Sequence, residues 1–246
     1  MARVLGLALF ISGKGSTAAA VMQACRTGAL LNRVKPACAV MNHDNAEGLD
    51  TLMNAGMEPR DIHIIPSREY KGRQEEFGEA ILKRLHQYRV DCIGQYGWMV
   101  KTPENVIREY AGVMINQHPG PLDPGRPDFG GKGMYGMRVH CARLLFCRWT
   151  NRDFWTEAVA QRVADEYDQG AVMYSRQVPI LQEDDPYRLR ERVLYEEYHV
   201  QITTLRMLAE GGSKVERRVT PLIRPEELPI LERAKEIACM LFPKGS

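Results

Sequence analysis

The sequence predicts an α/β protein centred on an open, mostly parallel twisted sheet with helices on both faces. Three observations predict it. Short β-rich runs alternate with stretches whose apolar residues recur at three- and four-residue spacing. The strand candidates are almost continuously apolar, as strands covered on both faces of a parallel sheet are. After residue 117 the alternation gives way to two strand-like runs joined by a short turn, which predicts an antiparallel hairpin in the C-terminal half. Together they describe a Rossmann-like architecture.

The first strand is "VLGLALFI" (4–11), followed by a glycine turn and the helical "STAAAVMQACRTGAL". Four more strands come from "PACAVM" (36–41), "DIHII" (61–65), "DCIGQYG" (91–97) and "GVMIN" (112–116). Between them "NAEGLDTLMNAGM", "EEFGEAILKRLHQY" and "TPENVIREY" carry helical spacing, and Thr102 before Pro103 and Glu104 signals a helix start. A Gly/Pro-rich loop (118–136) leads to a helix expected around 132–144. "RLLFCRWTNRDFW" (143–155) reads as added length before the hairpin, with Trp149, Phe154 and Trp155 expected in the core. The hairpin is "TEAVAQRVAD" (156–165) with "GAVMYSRQVPI" (170–180), and a long helix (185–212) starts at Asp185-Pro186 and stops at Gly211-Gly212. With no linker or repeat, one domain is expected over 1–246, with halves 1–117 and 118–212 and a tail 213–246.

Charge is nearly balanced. Against 33 Lys and Arg stand 31 Asp and Glu, a net charge of +2, which makes no case for nucleic acid or an anionic membrane as partner. The apolar run Val4–Ile11 ends in a glycine turn rather than a small-residue cleavage site, and no run approaches the roughly 20 apolar residues of a membrane span. Six scattered cysteines (Cys25, Cys38, Cys92, Cys141, Cys147, Cys239), none in a CxxC pair, read as reduced thiols and point to the cytoplasm.

Four segments carry candidate chemistry. In "ISGKGSTAAA" (11–20), Gly13 and Gly15 allow a tight turn between strand and helix. The amides of Gly15, Ser16 and Thr17 then sit at a helix N-terminus, a ready place for a phosphate, with the charge of Lys14 beside them. The loop is not a Walker A motif, because Gly15 follows the lysine where Ser or Thr is needed, and it fits a dinucleotide fingerprint only in part. The competing reading of this segment alone is a tight turn with no ligand.

The second segment is "VMINQHPGPLDPG" (113–125). Asn116 falls at the carboxyl end of the fifth strand, where open parallel sheets bind ligands. Residues 116 and 118 of one strand project to the same side. An Asn amide and a protonated His118 could together hold an oxyanion, and a histidine also moves protons near neutral pH. Alone, the pair is also an ordinary turn. Asp168, in "DEYDQGAV", is either hairpin chemistry or a carboxylate that turns toward His118 and orients its ring. Glu197 lies on the long helix, where glutamates are usually solvated. His43, His63, His86, His140 and His199 have no partner at metal-ligand spacing, so no metal is expected.

In this order "ISGKGST", "NQHPGPLDP" and "DEYDQG", followed by a helix with "RVxxxE", resemble the formyltransferases that use 10-formyltetrahydrofolate. That family's pattern is "ISGxGSN", "N-x-H-P-S-L-L-P" and "D-x-x-x-D-G-G". The resemblance covers roughly 3–210 and is closest to members acting on phosphoribosylglycinamide in purine synthesis. It implies the formyltransferase fold, with 1–117 as the phosphate- and substrate-binding half and 118–212 as the folate-binding and catalytic half. It implies that Asn116 and His118 stabilise the oxyanion formed when an amine attacks the formyl group, with Asp168 paired to His118. Gly13, Lys14, Gly15, Ser16 and Thr17 would hold the substrate phosphate, Gln117 and Pro119 would flank the substrate, and Glu197 would contact ribose hydroxyls. The folate would lie along Tyr96, Gly97, Trp98, Met99 and Val100, and along Val163, Ala164, Asp165, Glu166 and Tyr167.

There are departures. "YGWMVKT" replaces a "GFMRIL"-like stretch, "PGPLDP" replaces "PSLLP", Lys132–Tyr135 replaces a His-containing segment, and Gln161 stands where the family often has a His. They cluster around the amine-substrate entrance and the folate pocket, so an amino-sugar-nucleotide N-formyltransferase, a formyltetrahydrofolate hydrolase and a non-catalytic binder of folate or nucleotide stay as alternatives. The glycine loop, and only 34 residues after Gly212 in a chain of 246, favour a small phosphorylated amine. The expected partners are these two small molecules, with the protein a monomer or homodimer.

Overall fold

The computed structural model describes residues 3–212 and 214–245. They form two compact units: one from the chain up to Gln117 plus the long helix from Gln201 on, the other from His118–Val200 and the chain from Lys214 on. In the first, strands β1 (Leu5–Ile11), β2 (Val34–Met41), β3 (Ile62–Ile64), β4 (Cys92–Gln95) and β5 (Met114–His118) alternate with helices α1 (Ser16–Thr27), α2 (Ala46–Asn54), α3 (Gln74–Leu85) and α4 (Glu104–Glu109). The unit boundary falls at the end of β5.

All pairings in the first unit are parallel: β1 with β2 and β4, β2 with β3, and β4 with β5. The resulting order is β3-β2-β1-β4-β5. Leu7, Ala8, Leu9, Phe10 and Ile11 are all fully buried. Because neighbours along a strand point to opposite faces, both faces of β1 are covered, as its unbroken apolar run predicted. The strand order turns back between β1 and β4, which makes the carboxyl ends of those two strands the switch point where such sheets bind ligands.

Two strands differ from expectation for local reasons. β2 starts at Val34, ahead of Pro36, and its register with β1 jumps between Leu7 and Ala8, so the proline sits at an irregularity. A proline has no amide hydrogen for a ladder, and a bulge accommodates it. β5 lies two residues further along than "GVMIN". Gly112 has φ 79°, a left-handed turn conformation that delays the strand and carries it through His118.

The second unit holds α5 (Met137–Thr150), the antiparallel strands β6 (Trp155–Arg162) and β7 (Val172–Pro179), most of α6 (Pro186–Ala209), and α7 (Leu228–Leu241). The expected hairpin and long helix are therefore present. The helix expected at 132–144 instead begins at Met137, because Gly131, Gly133 and Gly136 all have positive φ. It runs on to Thr150, so the first half of the apparent insertion 143–155 is helix. Within it Trp149 and Phe154 are 46% and 44% exposed, against the expectation of core, and only Trp155 packs against the cluster joining α5 to α7.

The buried member of that segment is Arg143. Its Nε and one Nη donate to the carbonyls of Trp155 and Asp153, both at 2.8 Å, and the rings of Phe129, Phe146 and Trp155 surround the guanidinium at 4.8 to 5.9 Å. Desolvation lowers its pKa to about 10. The tail read as 213–246 contains α7, which packs on α5 through Leu231, Ala234 and Ala238. Just before it, the Glu216 amide donates to the Val172 carbonyl on β7 at 2.8 Å, and Ser175 donates to the Glu216 carboxylate. Five of the six cysteines are buried, and all six are free thiols. Among the described residues no helix is long and apolar enough to cross a membrane.

Candidate active site

β1 ends in the loop Ser12–Gly15. Gly15 caps α1 with φ 74°, and no side chain covers the first amides of the helix. The N–H groups of Ser16 and Thr17 thus lack the usual intrahelical partners and point outward at the positive end of the helix dipole. Asn45 holds the loop in place: its Nδ2 donates to the carbonyls of Ser12 and Gly13 at 3.2 and 3.0 Å, while its Oδ1 accepts from Gly48 N–H and caps α2. A Cβ on Gly48 would come within 2.6 Å of the Gly13 carbonyl oxygen, so the start of α2 packs directly on the loop. Lys14 is exposed and pairs with Glu47 at 2.9 Å.

The segment after β4 joins the same loop. Ser12 N–H donates to the Gly97 carbonyl at 3.1 Å, and Ser12 Oγ accepts from Met99 N–H at 2.8 Å. The glycine loop and 97–99 are thereby tied at the switch point. Of the five residues in this segment expected along the folate, two turn their side chains inward. Trp98 packs on Phe10 at 4.9 Å and parallel to Phe77 at 6.4 Å. Tyr96 lies over Gly94, where a Cβ would approach its hydroxyl to 2.3 Å, and burial drives its pKa well above the usual range. The accessible part is the backbone at Gly97, with φ 70°, together with the 52% exposed Met99 side chain.

Asn116 and His118 lie two residues apart on β5 and share one face of the strand. Asn116 is in register with Gln95, the last residue of β4. His118 is buried, and its Nδ1 lies 3.0 Å from the carbonyl of Gly120. A carbonyl only accepts, so Nδ1 carries the hydrogen and Nε2 is the nitrogen left to gain or lose a proton. Among the described residues Nε2 finds no hydrogen-bond partner, and it stands 3.7 Å from Oδ2 of Asp168.

Asp168 is held at both oxygens. Oδ1 accepts from Gln161 Nε2 at 2.7 Å and Oδ2 from Gly131 N–H at 2.9 Å. Its backbone is left-handed, φ 58°, and its Cβ sits so close to Gly130 that a methyl there would come within 2.7 Å. Neither Gly131 nor Asn45 was singled out from sequence. A backbone donor leaves no residue-type signal, and an Asn ahead of a helix reads only as a cap.

The altered "GPLDPG" loop has a structural basis as well. Asp123 accepts two bonds from Arg126 and one from Leu222 N–H, while Asp128 accepts from Asp123 N–H and Gly130 N–H, each at 2.8 Å. Desolvation raises the pKa of Asp128, and those two amide bonds oppose the rise. Glu197 is 6% exposed rather than solvated. Asp165, Glu166 and Tyr167 are exposed, while Val163 and Ala164 are half-buried. Among the described residues no three His, Cys, Asp or Glu side chains cluster as metal ligands would.

With this geometry in place, comparison with known proteins is decisive for the family. The sequence matches the formyl transferase family over residues 5–205. The chain belongs to the formyl transferase family. Among its relatives, the chloroplastic phosphoribosylglycinamide formyltransferase of Vigna unguiculata is 29% identical over 226 residues, covering 91% of this chain and 67% of that protein. The phosphoribosylglycinamide formyltransferase of Escherichia coli is 25% identical, covering 86% of this chain and 90% of that one. The glycinamide ribonucleotide transformylase 1 of Symbiobacterium toebii shares the fold at a TM-score of 0.71, with 24% identity, 87% of this chain and 94% of that chain covered.

Proposed function

We propose that this formyl transferase moves the formyl group of 10-formyltetrahydrofolate to the primary amine of a phosphorylated ribose, phosphoribosylglycinamide being the best fit. One observation carries the reading. The buried Nε2 of His118, directed by the Nδ1–Gly120 bond, faces the doubly held carboxylate of Asp168.

In the proposed reaction the neutral amine attacks the formyl carbon, forming a C–N bond while the C=O electron pair moves to oxygen. Asn116 and protonated His118 hold that oxyanion. Asp168 balances the imidazolium and, through water, takes the proton leaving the attacking nitrogen. The same proton passes to the folate nitrogen as its bond to the formyl carbon breaks, giving the formamide and tetrahydrofolate. The uncapped amides of Ser16 and Thr17 suit the phosphate. The Gly97–Val100 backbone and the 163–167 loop suit the donor, and Glu197 suits the ribose hydroxyls.

The test is tetrahydrofolate release from 10-formyltetrahydrofolate with and without phosphoribosylglycinamide. Release that requires the amine supports the proposal. Release without any amine means hydrolysis, and no release in either case sinks this acceptor.

A further inference from the structure

The match to the formyl transferase family ends at residue 205, so α7 lies beyond it. Yet α7 reaches the carboxylate of Asp168 through a single peptide group. Gly131 N–H donates to Asp168 Oδ2 at 2.9 Å, and the carbonyl oxygen of that same Gly130–Gly131 peptide accepts from Lys235 Nζ at 3.1 Å. We propose that Lys235 is a positioning residue for Asp168, acting through the Gly130–Gly131 peptide.

Two physical reasons support this. A peptide between two glycines rotates easily, and Gly131 already has φ 99°, so nothing intrinsic fixes which way its N–H points. An ammonium on the oxygen fixes that plane. It also polarises the amide, which strengthens the bond the N–H gives to the carboxylate. The chain around Lys235 is itself anchored to the same loop. Arg138 donates to the carbonyls of Phe242 and Gly133, both at 2.8 Å, and Met137 N–H donates to Gly245 at 3.0 Å. The C-terminal segment therefore supports the loop at both ends, and Lys235 is the contact aimed at the functional peptide.

The inference rests on Asp168 being catalytic, so Asp168→Asn is assayed in parallel with Lys235→Met and Lys235→Arg. Lys235→Met is expected to lower kcat about tenfold, with KM for both substrates and the melting temperature little changed. Lys235→Arg should restore most of the loss. In the Asp168→Asn background, followed by single turnover at high enzyme concentration, Lys235→Met should add nothing further. Should Lys235→Met fail to fold, Lys235→Gln, which keeps a donor on a shorter stem, takes its place with the same expectation of a lower kcat. Wild-type kcat in the folded variant, or an undiminished effect in the Asp168→Asn background, overturns the bracing role. Full turnover in Asp168→Asn itself overturns instead the assignment of Asp168.

Discussion

Gln161 gives an amide hydrogen to Oδ1 of Asp168 at 2.7 Å, while the other oxygen of that carboxylate faces His118 Nε2 at 3.7 Å. An amide does not titrate near neutral pH, so this oxygen is held by the same donor at every working pH. Gln161→Leu keeps similar bulk and removes the donor. It is expected to lower kcat by about ten- to a hundredfold, the upper figure being what an ångström of misplacement can cost, with KM little affected. Steady-state kinetics that match wild type would show that the amide does not set the carboxylate.

His118→Ala and Asp168→Ala are each expected to reduce turnover by about two to three orders of magnitude. Circular dichroism and melting curves should show both variants folded. Near-normal activity in either would remove that side chain from the proposed chemistry.

Asn45→Ala deletes the two bonds to the Ser12 and Gly13 carbonyls together with the cap of α2. The cap alone predicts a loss of about 1 kcal/mol in urea unfolding. The freed loop predicts a several-fold higher KM for the phosphorylated amine at an unchanged kcat. An unchanged KM would separate the loop from substrate binding.

His140 is buried on α5, its Nδ1 meets no partner among the described residues, and desolvation lowers its pKa from 6.5 to about 3, with Arg190 adding to the shift. Between those values the unfolded chain binds a proton that the folded one does not. The contribution to stability is therefore full above about pH 6.5 and declines as pH falls below it. At pH 5.5 the loss relative to pH 7.5 should be about 1 kcal/mol, and His140→Leu should not show it. Equal pH slopes for the two proteins in urea unfolding would contradict this.

Much of the architecture was legible because burial writes itself into composition: β1 is apolar at every inward and outward position, and so it reads as a covered strand. What misled was backbone conformation. The positive φ of Gly112 moved β5 by two residues, and those of Gly131, Gly133 and Gly136 moved the start of α5 to Met137. The same limit holds at the candidate site. Asn116, His118 and Asp168 could be picked out by type and spacing, but the donors that hold Asp168 could not. One is a main-chain amide, one is a glutamine across the hairpin turn, and the lysine behind the amide lies 105 residues from its partner Gly130.

The contact between Glu216 and Val172 has a meaning apart from any chemistry. The edge of β7 that does not pair with β6 would otherwise offer its carbonyls and amides to any extended chain nearby. The protein's own segment already takes up part of that row, so β7 is a shielded rim. Shielding of this kind guards against runaway association between copies, and cutting the chain after α6 would remove it.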